Sequence, residues 1–251
     1  MICAFDRSSG SRRRLDTLLP VLWLPAAFAF GDPGQNDRDS GPALESVVVT
    51  ATRIEQSIYD AAAAISVIDS EEFRRQAPQV LAEMLRATPG AFFQQTTPGQ
   101  GIPIIRGLKG SQVLHLVDGM RLNNALFRDA PNQYLGLVDG YASQRIEVIR
   151  GSAPSLHGAD AMGGVVQVLT QEPSIEDASW AVRGKIYGSY ASADSSLIGR
   201  AESVAGRKGS VLSGGVTYQD YGDRTTGDGA TVRPTAYRVR AADMKFRHDI
   251  D

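Results

Sequence analysis

Arg145-Ile146-Glu147-Val148-Ile149-Arg150-Gly151 is the stretch whose reading decides the fold. Charged and apolar side chains alternate through most of it, which is the period of a strand with one covered face. The glycine after Arg150 closes the strand. Further along, Gly163-Gly164 lead into Val165-Val166-Gln167-Val168-Leu169, a second β-branched run suited to a pleated, buried surface.

Upstream, Val113-Leu114-His115-Leu116-Val117 runs into Asp118-Gly119 and then Met120-Arg121-Leu122. Asp-Gly between apolar runs is the dipeptide of a tight hairpin turn. Ile104-Ile105-Arg106-Gly107 reads as a strand end, and Phe92-Phe93-Gln94-Gln95 as a strand leading into a Gly/Pro-rich exposed loop that reaches Pro103. Ile65-Ser66-Val67-Ile68 reads as another strand, with Asp69-Ser70-Glu71-Glu72 capping a helix after it. A second helix is expected to start at Pro78, with Val80, Leu81, Met84 and Leu85 on one face, and to end at Pro89-Gly90. Residues 123–134 are polar with scattered aromatics and read as a loop. Short strands and two short helices around one core make an α+β domain over residues 53–172, with a small mixed sheet.

The texture changes after Pro173. Val182, Gly184, Ile186, Gly188 and Tyr190 alternate with Arg183, Lys185, Tyr187 and Ser189, and similar segments recur at 197–205, 211–221 and 237–246. Gly206-Arg207-Lys208-Gly209 marks a short turn between two of them. Strands of about ten residues with weak alternation are the signature of a transmembrane β-barrel. The remainder of the chain, residues 173–251, has room for about four such strands.

In the other direction, Glu45, Ser46, Val47, Val48, Val49, Thr50 and Ala51 form a short β-branched run that favours an extended conformation. Ahead of it, residues 30–43 are mostly Gly, Asp, Pro, Ser, Asn and Gln and form a flexible linker. Arg12-Arg13-Arg14 precede an apolar stretch over 18–30 that contains Ala27-Phe28-Ala29, so residues 1–29 read as a secretory signal cleaved after Ala29. That stretch is too short to span a bilayer as a helix.

With Lys+Arg 26 against Asp+Glu 28, the chain offers no broad basic face, and a nucleic-acid partner is not expected. Its single cysteine, Cys3, falls in the leader, so the mature chain is expected to carry no disulfide. His115, His157 and His248 do not stand at metal-ligand spacing, and no nucleophile stands near a base at a recognisable interval. No metal, cofactor or enzymatic activity is expected.

The motifs, in their order and spacing, resemble the TonB-dependent receptors. Residues 44–52 resemble the TonB box. Ile105-Arg106-Gly107, Val117-Asp118-Gly119, the 145–151 stretch and Gly163-Gly164-Val165-Val166-Gln167-Val168 resemble the plug signature. Within it, Arg106, Gly107, Asp118, Gly119, Glu147, Arg150, Gly151, Gly163 and Gly164 are expected to maintain the fold. The charges of Arg106, Glu147 and Arg150 make sense where a plug meets the polar wall of a barrel lumen. The resemblance implies export to the outer membrane and contact with its lipid. It also implies a barrel of about 22 strands around the plug, so the strands here are its first few and the chain reads as the front end of a longer receptor.

It implies TonB as partner, bound through residues 45–51 as an added strand. The cargo implied is a scarce, bulky nutrient: an iron complex, whether siderophore or haem, with cobalamin or a glycan as further candidates. By the family pattern it would touch the plug apices at Gln94, Gln95, Asn124, Phe127, Arg128, Asn132, Gln133 and Tyr134. The other reading is a periplasmic or surface binding or signalling module built on a plug without transport.

Overall fold

The computed structural model describes residues 61–249, apart from 96, 124–133 and 159, together with the backbone of residues 2–6, 48–49 and 56–57. Strand β1 (Ala64–Asp69) passes directly into helix α1 (Ser70–Gln76). The Asp69 carboxylate accepts from the Glu72 amide at 2.7 Å, and acids in the first turn and arginines in the last match the helix dipole. Phe73 is the buried residue of α1, its ring edge-on to Tyr141 at 4.8 Å.

The second expected helix is a 3₁₀ helix, Leu81–Ala87, and it starts later than Pro78. Val80 is still extended, with φ −139° and ψ 148°. Between Pro78 and Pro89-Gly90 there is space for a short segment only, and short segments favour the tighter winding. The four apolar residues of the expected face, Val80, Leu81, Met84 and Leu85, are all buried.

Strands β2 (Ala91–Gln94) and β3 (Ile102–Ile105) form a two-stranded sheet of their own, in which the proline at 103 interrupts no central ladder. Strands β4 (Val113–Val117) and β5 (Met120–Arg121) make the hairpin. Asp118 and Gly119 at its tip have φ of 47° and 79°, the left-handed pair that a two-residue turn demands. Strand β6 (Ser143–Arg150), the short helix α2 (Pro154–His157) and strand β7 (Gly164–Thr170) complete the domain. The sheet order is β1-β6-β7-β4-β5, with β4 parallel to β7 and the other pairs antiparallel. Gly163 and Gly164 sit where the chain passes closest to its neighbours, and a Cβ on Gly164 would lie 2.3 Å from the Ile149 carbonyl oxygen.

Four long strands follow as an antiparallel meander: β8 (Ala181–Ala191), β9 (Ser196–Arg207), β10 (Ser210–Tyr221) and β11 (Tyr237–His248). They form an open wall against the plug. The backbone of Ile2–Asp6 pairs antiparallel with β11 at its edge. The β9–β10 connection is a two-residue turn at Lys208-Gly209, whereas residues 222–236 connect β10 to β11.

The two faces of the wall differ. Ile186, Met244, Val182, Phe246 and Val216 are exposed on one face, at 90%, 79%, 75%, 68% and 59%. Their strand neighbours Arg200, Thr217, Gln219, Tyr221 and Tyr237 are buried on the other, against the plug. The main core extends across this contact, joining Phe73, Leu85, Ile146 and Val166 of the plug with Ile198, Tyr221 and Tyr237 of the wall. A second cluster, including Ile65, Leu114, Ile149 and Val165, fills the opposite side of the plug sheet.

Candidate functional site

Polar contacts between plug and wall fall into three zones. The central zone is built around Asp139, which precedes the short 3₁₀ turn Gly140–Ala142 and accepts from the Tyr141 amide at 3.0 Å. Residue 140 is glycine because a Cβ there would collide with the Phe73 ring. The second carboxylate oxygen of Asp139 accepts from the Thr217 hydroxyl at 2.6 Å and from Arg200 Nη1 at 3.4 Å. Arg200 also donates to Asp243 at 2.8 Å, to Thr217 at 3.0 Å and, through Nε, to Glu202 at 3.0 Å. Its guanidinium fills space left by the missing side chain of Gly215. Burial pushes the Asp139 carboxyl above its ordinary range, and the Thr217 hydrogen bond, the Arg200 charge and the Tyr141 amide pull it back. The Arg200 and Asp139 side chains are 6% and 0% exposed, so removing one partner would leave the other buried and only partly compensated.

The outer zone lies at the end of the wall that carries residues 222–236. Gln79 of the plug donates to Asp194 at 2.9 Å, accepts from Arg224 at 2.5 Å and receives the Tyr237 hydroxyl on its carbonyl at 3.5 Å. Arg224 also reaches Gln95 at 3.5 Å. The loop that presents Arg224 is fixed at its base: Asp223 accepts from the amides of Thr235 and Ala236, both at 2.9 Å. Those backbone hydrogen bonds hold the Asp223 carboxyl below its ordinary range.

The inner zone lies near the Lys208-Gly209 turn. Asp118 accepts from the Thr170 amide at 2.8 Å and the Thr170 hydroxyl at 2.5 Å, and Lys245 stands 3.7 Å from it while donating to Thr170 at 3.0 Å. Beside this contact a cavity of about 420 Å³ separates plug from wall.

Arg106, Glu147 and Arg150, expected where plug meets wall, make their recorded contacts inside the plug. Glu147 is on a central strand, fully buried, and takes a hydrogen bond from Arg145 Nε at 2.8 Å. Arg150 donates to the Pro89 carbonyl at 3.0 Å, and the Arg106 guanidinium lies against Gly151. Arg106 and Gly107 both have positive φ, at 51° and 81°, in the turn after β3. His115 and His157 are buried, His115 beside Asn123, whose Oδ1 accepts from its backbone amide at 2.9 Å.

Of the apex residues, Gln94 and Gln95 are half-buried and Gln95 is drawn to Arg224. Asn124, Phe127, Arg128, Asn132 and Gln133 lie outside the described residues, and Tyr134 begins a 3₁₀ turn, Tyr134–Leu137. In the run 45–51, Val48–Val49 is extended and pairs antiparallel with Gln56–Ser57, while Glu45, Ser46, Val47, Thr50 and Ala51 lie outside the described residues. The leader and linker lie outside them as well, apart from the backbone of 2–6. Sequence reasoning missed Gln79, Asp139, Arg200, Thr217, Arg224, Asp243 and Lys245. A signal for some of them was present: Arg200, Asp243 and Lys245 fall on the phase opposite the exposed apolar side chains Leu197, Met244 and Phe246 of the same strands.

A family model described as the TonB-dependent receptor plug domain matches residues 57–165. Over 157 residues, covering 62% of this chain and 24% of the relative, the sequence is 34% identical to the vitamin B12 transporter BtuB of Photobacterium profundum. Over 178 residues, 66% of this chain and 25% of the relative, it is 33% identical to the iron-regulated outer membrane virulence protein of Vibrio cholerae serotype O1. The chain thus spans about a quarter of the length of these curated relatives. The fold is similar to that of part of the copper transporter OprC, with a TM-score of 0.58 at 19% identity over 76% of this chain and 32% of that one. It is also similar to the siderophore receptor PirA from Pseudomonas aeruginosa, with a TM-score of 0.50 at 22% identity over 76% of this chain and 33% of that one.

Proposed function

We propose that this chain, which carries the plug domain of a TonB-dependent receptor, serves TonB-driven uptake of a bulky metal chelate across the bacterial outer membrane. The cargo is an iron complex, siderophore or haem, or cobalamin. The observation that carries this reading is the two-faced wall. Its outward phase carries exposed apolar side chains, as lipid-facing positions of a membrane barrel do, and its inward phase carries polar and aromatic side chains that engage the plug, among them Arg200, Thr217 and Tyr237.

Barrels of this kind have short turns toward the periplasm and longer loops outside. On that rule the Lys208-Gly209 turn faces the periplasm and residues 222–236 face the exterior. Gln95, close to Arg224, then lies toward the exterior, which supports Gln94 and Gln95 as ligand contacts. Asn124, Phe127, Arg128, Asn132, Gln133 and Tyr134 join them by the family pattern. The relatives named for vitamin B12 transport and for iron regulation support a metal chelate as cargo class. Residues 45–51 engage TonB by adding a strand to its sheet, for which the extended Val48–Val49 is suited. Ligand biases release of that run only by its differential affinity for two plug states.

The test is accumulation against surface binding. Cells that make the full receptor are offered labelled cobalamin, ferric siderophores and haem, and both quantities are followed over time. Accumulation beyond the bound amount for one of them is the expected result. Binding that saturates without accumulation would instead identify a binding or signalling module.

A further inference from the structure

The outward phase of the wall is not apolar from end to end. Along β11 it runs Phe246, Met244 and Ala242, then changes to Arg240 and Arg238. Along β10 it runs Leu212, Gly214 and Val216, then changes to Tyr218 and Asp220. Val216 pairs with Ala242 and Tyr218 with Arg240, so the change falls at the same register on both strands. On β8 the apolar part is framed by aromatics: exposed Trp180 and Tyr190 stand at either end of Val182, Gly184, Ile186 and Gly188. A strand tilted by about 40° rises about 25 Å over the interval from Trp180 to Tyr190, which is the height of a barrel's apolar band between its aromatic girdles.

Arg238, Arg240, Tyr218 and Asp220 make one patch just beyond that band, at the end of the wall that carries residues 222–236. Arg238 donates to Asp220 at 3.1 Å, and its guanidinium lies 5.8 Å from the centre of the Tyr218 ring. The Tyr218 hydroxyl donates to the same carboxylate at 3.4 Å. Asp220 is thus taken up by its neighbours. Arg240 is exposed and, among the described residues, no carboxylate forms an ion pair with it, so the patch keeps a positive charge. An arginine on a lipid-facing phase is costly in the middle of a bilayer and tolerable at its boundary, where an anion can reach it. The planar fork of a guanidinium matches phosphate oxygens two at a time.

We propose that Arg240, with Arg238 and Tyr218 beside it, binds the phosphate of a phosphorylated glycolipid headgroup in the outer leaflet of the membrane. The patch opens off the lipid-facing phase, so a headgroup held there lays its acyl chains over Val216, Ala242 and Met244, which a free phosphate cannot do. The inference rests on the reading that places residues 222–236 outside the cell.

The full receptor in detergent is titrated with a diphosphorylated glucosamine-disaccharide lipid and with its dephosphorylated form, and bound lipid is counted by native mass spectrometry. Arg240→Gln is expected to weaken binding of the phosphorylated lipid about tenfold, the scale of one charge-assisted contact, and Arg240→Lys to weaken it less. Arg207→Gln, which removes an exposed charge beside the Lys208-Gly209 turn at the other end of the wall, should change nothing. Unchanged affinity in Arg240→Gln overturns the proposal, as does equal binding of the dephosphorylated lipid or an equal loss from Arg207→Gln. Orientation is read separately with Gly227→Cys, a position with open space around it, treated on intact cells with a membrane-impermeant maleimide. Labelling above that of the parent receptor is expected. Labelling only after lysis would sink the orientation and this inference with it, whereas labelling on intact cells without the lipid effect overturns this inference alone.

Discussion

Asp139 shows how much one side chain carries. Asp139→Ala would strip acceptors from the Tyr141 amide and the Thr217 hydroxyl and one carboxylate from Arg200, all at a buried contact. The expected loss is about 2–4 kcal/mol in urea or heat unfolding, and Asp139→Asn should lose less because it keeps an acceptor. Combining Asp139→Ala with Thr217→Val should give a coupling of roughly 0.5–3 kcal/mol; strict additivity would show that the two do not act together. His115 gives a second test. Burial lowers its pKa from 6.5 to about 4, against an opposing hydrogen bond with Asn123. The unfolded chain therefore binds more protons between those values, so stability should be level above pH 6.5 and fall as pH drops toward 4. The loss is about 3 kcal/mol at most, and His115→Gln should flatten that slope in urea titrations across the range. At this scale the sequence was legible where local chemistry decides, as with Asp69 capping α1 or Asp118-Gly119 turning the hairpin. It was silent on Asp139 and Arg200, because a pair formed across 61 positions leaves no trace in periodicity.

Among the elements, strands were easier to read than the helix after Pro78. A period of two over ten residues is satisfied by a strand and by little else, whereas the apolar spacing of Val80, Leu81, Met84 and Leu85 suits an α-helix and a tighter turn alike. On the proposed function, the phase of β8 to β11 that carries the exposed apolar side chains is the one that meets lipid. Ile186 is 90% exposed in the middle of β8, where it pairs with Ala201. Ile186→Arg should weaken membrane assembly by about 2–4 kcal/mol, read as loss of folded receptor from the outer-membrane fraction. Lys185→Arg, one residue away on the inward phase, should leave assembly unchanged. Equal tolerance at both positions would mean that the apolar face does not meet lipid.

For the molecule as a whole, the plug and the order of its motifs could be read from the sequence, and so could the change to barrel-like strands. The manner in which the two parts join could not. It depends on side chains far apart in the chain, Gln79 with Arg224 and Asp118 with Lys245, and on a core that continues from plug to wall. The buried central contact, which would cost about 2–4 kcal/mol to break by losing Asp139, outweighs the exposed inner pair, worth about 0–1 kcal/mol. Coupling to TonB is expected to be sensitive to backbone hydrogen bonding in the run 45–51. Val48→Pro removes an amide from it and should abolish energised uptake while surface binding of ligand stays the same.

The most direct measurement is uptake of labelled cobalamin and ferric siderophore by cells carrying the full receptor, compared before and after TonB is withdrawn. Accumulation of one of them that stops without TonB, with binding intact, is the expected result. Equal accumulation with and without TonB, or binding with no accumulation in either state, would contradict the assignment of this plug and wall to a TonB-driven transporter.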